Sequence, residues 1–256
     1  EAQKGVYPKD VILEVLGRIR ADGAVYKAID FTGSYVEKLN VAGRMTICNM
    51  AVEMGAKTAY MQPNADVLNY VDKRAVRPYE VQFTDPDFQY EESYVFDVSK
   101  IEPNLACPSS VENVHPLSEV VANGPIKLNQ GYIGSCTGGR VEDIAIAAKI
   151  LKGRHIPEYT RLIVVPASNE VMQECMKAGY IQDLMNAGAT ITTPGCGACL
   201  GAHEGILAPG EVCITSTNRN FPGRMGSTEA LMYLASPATV AASMVNGCIT
   251  DPRDFL

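Results

Sequence analysis

Gly131-Tyr132-Ile133-Gly134-Ser135-Cys136-Thr137-Gly138-Gly139-Arg140 runs from an apolar segment straight into a glycine-rich turn. The segment reads as the end of a strand over 131–135. The helical spacing that follows predicts a helix over 140–151. Further on, residues 162–166 form a fully apolar strand, and 169–186 reads as one long helix. A strand over 190–193 leads into Pro194-Gly195-Cys196-Gly197-Ala198-Cys199, and another spans 212–217. Residues 228–235 and 238–245 read as helices separated by Pro237. Strands that are apolar throughout and separated by helices predict parallel α/β layers buried on both faces.

Toward the N-terminus the same alternation holds with less regularity. A helix spans 10–20, a strand 24–31, a helix 41–54 and a strand 57–61. Asn64 reads as the N-cap of a helix over 65–74. Between Arg77 and Ser93, Pro78, Pro86, acids and aromatics suggest a surface connection. Residues 94–98 read as a strand, and Pro103, Pro108 and Pro116 punctuate an irregular stretch to about Asn123. The chain divides here into two expected domains, 1–95 and 96–256. No internal repeat is visible.

Composition narrows the function. The 256 residues are 46% hydrophobic and 20% charged, enough to bury a sizeable core. A formal charge of −7 argues against a nucleic-acid surface, which needs excess Lys and Arg to neutralise phosphates. No stretch approaches the roughly 20 apolar residues of a membrane span. Residues 1–10 lack the apolar core of a signal peptide. Eight cysteines are too sparse for a disulfide scaffold, so a reducing cytoplasm is the expected compartment. Cys48, Cys107, Cys175, Cys213 and Cys248 stand alone and read as small buried hydrophobes.

Cys136, Cys196 and Cys199 are different. Both motifs sit where strands give way to turns, and the sheet ends of α/β folds are where ligands bind. Three thiolates are one short of the four that fully ligate a [4Fe–4S] cluster, which would leave one iron open. Two other readings fit the spacing. His203, four residues past Cys199, completes a Cys₃His zinc set, and Cys196-x-x-Cys199 alone matches a thiol–disulfide pair. Thr217-Asn218-Arg219-Asn220-Phe221-Pro222-Gly223-Arg224 adds two guanidinium groups, the natural fork for carboxylates. Asn49 and Glu53, four apart, fall on one face of the expected helix over 41–54.

Together these segments resemble the aconitase superfamily. The carrying residues are 134–140, 194–199, 218–224 and Thr46-Ile47-Cys48-Asn49-Met50-Ala51-Val52-Glu53. Residues 200–205 and 211–213 further resemble the large subunit of the split, two-subunit dehydratases that act on 3-isopropylmalate or homoaconitate. The match runs through nearly the whole chain. It implies three-layer α/β/α domains with mainly parallel sheets. It implies a [4Fe–4S] cluster on Cys136, Cys196 and Cys199, and reversible dehydration and rehydration of a 2-hydroxy di- or tricarboxylate. Arg219 and Arg224 match positions that hold substrate carboxylates, and Asn49, Glu53 and Asn218 match positions near the cluster. A non-catalytic metal-binding regulatory module is the alternative of another class.

The resemblance also sets expectations about what lies outside these residues. The family's first domain, with essential Asp-His and Ser residues, precedes the matched region. A swivelling domain, a separate small subunit in the split enzymes, supplies the catalytic Ser and much of the selectivity. The 256-residue polypeptide alone is therefore expected to be inactive. One residue departs from the pattern: Gly138 stands where the family usually has Asn.

Overall fold

Nine strands and ten α-helices form in the computed structural model, which describes residues 1–256. The first part holds α1 (Pro8–Ile19), β1 (Ala28–Asp30), α2 (Ser34–Glu37), α3 (Val41–Met50), β2 (Thr58–Tyr60) and α4 (Ala65–Asp72). Then come β3 (Asn104–Ala106), β4 (Val114–Pro116), α5 (Leu117–Ala122), β5 (Gln130–Gly134), α6 (Ser135–Gly138) and α7 (Val141–Leu151). The chain closes with β6 (Arg161–Val165), α8 (Asn169–Lys177), α9 (Tyr180–Asn186), β7 (Ala189–Ile191), β8 (Val212–Thr215), β9 (Leu231–Leu234) and α10 (Pro237–Asn246). No helix is long and apolar enough to cross a membrane.

Seven strands make one sheet in the order β4-β3-β9-β8-β5-β6-β7. The run from β9 to β7 is parallel, while β3 lies antiparallel to both β9 and β4. Side chains alternate between its faces, as a strand's period of two requires. Ile133, Leu162, Val164 and Ile214 enter a core shared with α7, α9 and α10. Tyr132, Ile163, Val165 and Cys213 face the other way, onto Ala198, Cys199, Leu207 and Met225. A smaller body around α1 and α3, with the parallel pair β1–β2, has its own core and meets the sheet at Ala106 and Leu234.

The α/β expectation therefore holds, with four local corrections. Residues 228–235 are not helical. Leu231–Leu234 is a strand, because pairing with β8 buries Met232 and Leu234, and a short apolar run carries no period that separates strand from helix. Residues 94–98 form no strand; only a 3-10 turn at Val98–Lys100 is regular. The helix expected over 169–186 breaks at Gly179, which adopts a left-handed φ of 80° between α8 and α9. The "irregular" stretch 103–123 contains β3, β4 and α5, which add the antiparallel edge.

The helix expected over 41–54 changes character midway. Asn40 caps it, its side chain accepting from the Gly43 N–H at 2.9 Å. α3 ends at Met50, and Ala51–Met54 tightens into a 3-10 turn closed by Gly55. Asn64 caps α4 as predicted, accepting from the Val67 N–H at 3.1 Å.

Candidate active site

The Cys136 turn begins where β5 stops. Gly134 ends the strand, and Ser135 takes a left-handed φ of 68°, rare for a non-glycine residue and a local strain. The turn is tied down from several sides. The Ser216 hydroxyl accepts from the Gly134 N–H at 3.0 Å and donates to the Gly138 carbonyl at 3.3 Å, bridging its two ends. The Thr46 hydroxyl donates to the Thr137 carbonyl at 3.1 Å. Asn49 on α3 places its amide nitrogen 3.0 Å from Cys136 Sγ and 2.9 Å from Thr137 Oγ1.

Gly138 is explained by the same contact. A Cβ there would lie 2.3 Å from Ser216 Oγ and 2.8 Å from the Ser216 carbonyl oxygen. The serine occupies the space that any side chain at 138 needs.

The second cysteine turn follows β7 and forms a 3-10 helix over Gly197–Leu200. The Tyr132 hydroxyl, rising from β5, donates to the Cys196 carbonyl at 2.7 Å. Burial pushes that phenol well above its ordinary range. Both cysteine turns pack on the end of β6. Cβ atoms built on Gly134 and Gly197 would strike the Val165 carbonyl oxygen and Val165 Cγ2 at 2.6 and 2.9 Å. Cys136 and Cys196 are exposed, Cys199 is buried, and all eight cysteines are free thiols.

The loop after β8 brings the guanidinium groups. Arg219 Nε donates to both oxygens of Glu53, at 2.9 and 3.0 Å, joining that loop to the 3-10 turn after α3. Burial raises the Glu53 carboxyl, and the guanidinium of Arg219 opposes the rise. Arg224 Nη2 stands 3.8 Å from Cys199 Sγ. Asn220 donates to the Cys107 carbonyl at 2.8 Å, which fixes the loop against β3. Three buried polar atoms of this loop have no partner, Asn218 Oδ1, Asn220 Oδ1 and Arg224 Nε. Such atoms are free to hydrogen-bond a water or a bound molecule.

The expected residues thus gather at one end of the sheet. Asn49 meets Cys136, Glu53 meets Arg219, and Arg224 meets Cys199. Asn49 and Glu53 do not share one α-helical face, because Glu53 lies in the 3-10 turn; each instead serves a different loop. The Cys₃His zinc alternative is not assembled. His203 is exposed, and no three His, Cys, Asp or Glu side chains converge on a single-ion position.

The model of the aconitase family (aconitate hydratase) matches residues 1–247. The chain belongs to the aconitase family. It is 51% identical over 259 aligned residues to "3-isopropylmalate dehydratase large subunit 1" of Methanopyrus kandleri, covering 100% of this chain and 60% of that relative. It is 49% identical to "Probable methanogen homoaconitase large subunit" of Methanothermobacter thermautotrophicus, covering 99% of this chain and 58% of the relative. For "3-isopropylmalate dehydratase large subunit" of Hydrogenobaculum sp. the identity is 47%, over 98% and 58%. This aconitase-family chain therefore spans about three fifths of the length of these relatives.

Sequence reasoning missed three residues of the site. Ser216 and Tyr132 carry no motif of their own; their roles come from sheet register. Lys9, whose Nζ donates to the Thr217 carbonyl at the start of the arginine loop, had one signal. It is a cation in the first turn of α1, where the helix dipole disfavours positive charge.

Proposed function

We propose that this chain carries the cluster-binding and part of the substrate-binding face of a hydro-lyase. The reaction is reversible dehydration and rehydration of a 2-hydroxy di- or tricarboxylate, with 2-isopropylmalate to 3-isopropylmalate, in leucine biosynthesis, as the leading substrate pair. Homoaconitate chemistry, or dehydration of a related branched malate of the dimethylmalate type, is the alternative, the first supported by the names of two relatives. The observation that carries the reading is the double contact of donors on thiols: Asn49 on Cys136 and Arg224 on Cys199. Donors set on these two sulfurs would orient and hydrogen-bond them as ligands, as the outer partners of metal-binding side chains do.

The donor set fits a [4Fe–4S] cluster. Cys136, Cys196 and Cys199 would hold it; each thiolate in such a cluster binds its own iron, so the three need not crowd one ion. When bound, the cluster supplies a Lewis acid for departure of a hydroxyl. The protein groups do the rest. Arg219 and Arg224 present forks for substrate carboxylates. Glu53, held by Arg219, carries a carboxylate whose proton affinity burial has raised, suited to holding or releasing a proton. Asn218 Oδ1 is a spare acceptor beside them.

The "large subunit" names of the relatives support a small partner subunit, and the length comparison supports a further domain of the large chain. Two of the three thiols are exposed here, so other parts must exclude water from the site. The test is anaerobic reconstitution with iron and sulfide. The 256-residue chain should take up about four irons and four sulfides and lose them on Cys136→Ser. It should neither dehydrate 3-isopropylmalate nor hydrate homoaconitate alone, and should do one of the two once the full-length large chain and small subunit are supplied. Zinc uptake without sulfide would instead favour a regulatory metal module.

A further inference from the structure

Lys9 is the most deeply buried cation in the chain, 2% exposed. Its Nζ donates to the Thr217 carbonyl at 2.6 Å and points at Met50 Sδ at 3.1 Å. Neither acceptor is charged. Three acids from different elements and the Cys199 thiol act on it electrostatically, and each acid is engaged elsewhere. Glu53, in the turn after α3, is held by Arg219. Asp10, on α1 itself, accepts from the N–H groups of Tyr7 and Asn104 at 2.8 and 3.0 Å. Asp143, at the start of α7, accepts from the Arg140 N–H at 3.0 Å. A buried ammonium with only neutral partners is costly, and its place in the first turn of a helix adds to the cost. Burial accordingly lowers its proton affinity, to about 8.

The position explains why the charge is kept. Thr217 immediately precedes Asn218 and Arg219, and Met50 lies between Asn49 and Glu53. One ammonium therefore joins α1, α3 and the arginine loop, the last two of which carry the candidate site residues.

We propose that Lys9 is a positioning residue of the site: it braces the Thr217 carbonyl, and so Asn218 and Arg219, and sets an uncompensated positive charge beneath the face that receives a polycarboxylate. This rests on the functional reading above, since an anionic occupant is what the charge serves. Arg219 is engaged by Glu53, so its charge is already partly neutralised. Lys9 replaces that lost attraction from below.

Two variants separate the bracing from the charge. Lys9→Gln retains a donor for the Thr217 carbonyl and removes the charge. Lys9→Met removes both at similar volume. In the assembled enzyme of full-length large chain and small subunit, Lys9→Gln should raise KM for the hydroxy acid at least fivefold with kcat within threefold. Lys9→Met should raise KM and lower kcat at least tenfold, with iron and sulfide content unchanged. Calorimetric titration with the tricarboxylate tricarballylate gives a readout without turnover, and Lys9→Gln should bind it at least fivefold more weakly than wild type. If wild type binds tricarballylate but dehydrates nothing, the functional reading fails while the Lys9 inference still stands or falls on this titration. A folded Lys9→Gln protein with KM and tricarballylate affinity within twofold of wild type overturns the inference. So does a wild-type assembly that binds neither tricarballylate nor isopropylsuccinate, the hydroxyl-free dicarboxylate analogue of isopropylmalate. If Lys9→Met fails to fold, Lys9→Gln alone decides.

Discussion

Arg219 holds Glu53 through a single nitrogen, with Nε 2.9 Å from one carboxylate oxygen and 3.0 Å from the other, across 166 residues of sequence. This leaves the two terminal nitrogens of the guanidinium outside the pair. A guanidinium so placed can keep one carboxylate and still present a fork to another. The pair also joins the small body to the large sheet, since Glu53 follows α3 and Arg219 follows β8.

Arg219→Ala should destabilise the chain by about 1–2 kcal/mol in urea unfolding, because Glu53 is 8% exposed and loses its charged partner. The larger cost of breaking a fully buried pair does not apply, since Arg219 is 39% exposed and partly solvated. The Glu53 carboxyl should titrate still higher in this variant, read by carbon-13 NMR. An unchanged unfolding midpoint would show the pair to be incidental.

Asn49→Ala should leave the fold intact and speed loss of iron from the reconstituted chain, because the amide on Cys136 Sγ is gone. Asn49→Asp should be worse, placing a carboxylate beside a thiolate. Iron release to a chelator, followed optically, measures both. Equal rates in all three proteins would remove Asn49 from the site.

Arg224→Lys should raise KM for the hydroxy acid at least tenfold in the assembled enzyme while the cluster is retained. A point charge on a flexible stem does not reproduce a planar fork. Steady-state kinetics beside iron analysis checks the two halves of this statement.

Gly138→Ala should cost about 1–3 kcal/mol, the usual range for overpacking, because its Cβ meets Ser216 Oγ at 2.3 Å. Ser216→Gly in the same chain should recover part of that loss by removing the obstructing hydroxyl. A double-mutant cycle by thermal unfolding isolates the coupling. Additive effects would mean that the two positions do not compete for space.

Asp10 supplies a pH dependence with a definite sign. It is fully buried, and its carboxyl is pushed up to about 7 by burial, against the pull of two N–H donors. An unfolded Asp ionises near 4, so above that pH the unfolded state binds fewer protons than the folded one. The stability contribution of Asp10 is therefore complete below about pH 4 and is lost as pH rises to about 7. Asp10→Asn should flatten this slope in unfolding measured between pH 4 and 7. A wild-type slope retained in the variant would place the dependence on other groups.

Much of this architecture was open to reading along the chain. The strand-to-turn transition at Gly134-Ser135-Cys136, the Asn64 cap and the buried parallel strands follow from local periodicity and turn chemistry, which neighbours in sequence settle. Two of the failures share one cause. Leu231–Leu234 is a strand only because β8 lies beside it, and residues 104–116 pair only because β9 offers an edge. A short apolar run has no period of its own, so the partner decides its conformation.

The amino-acid order alone determined which residue types stand at the ends of strands: three cysteines, two arginines, and the Asn and Glu of the α3 segment. That is enough to identify the family. Tertiary structure decided who meets whom. Glu53 finds Arg219, Lys9 finds Thr217 across 208 residues, and Ser216 fills the space at Gly138. Such contacts depend on sheet order and on how one body packs against another, and neither is written in the spacing of neighbouring residues.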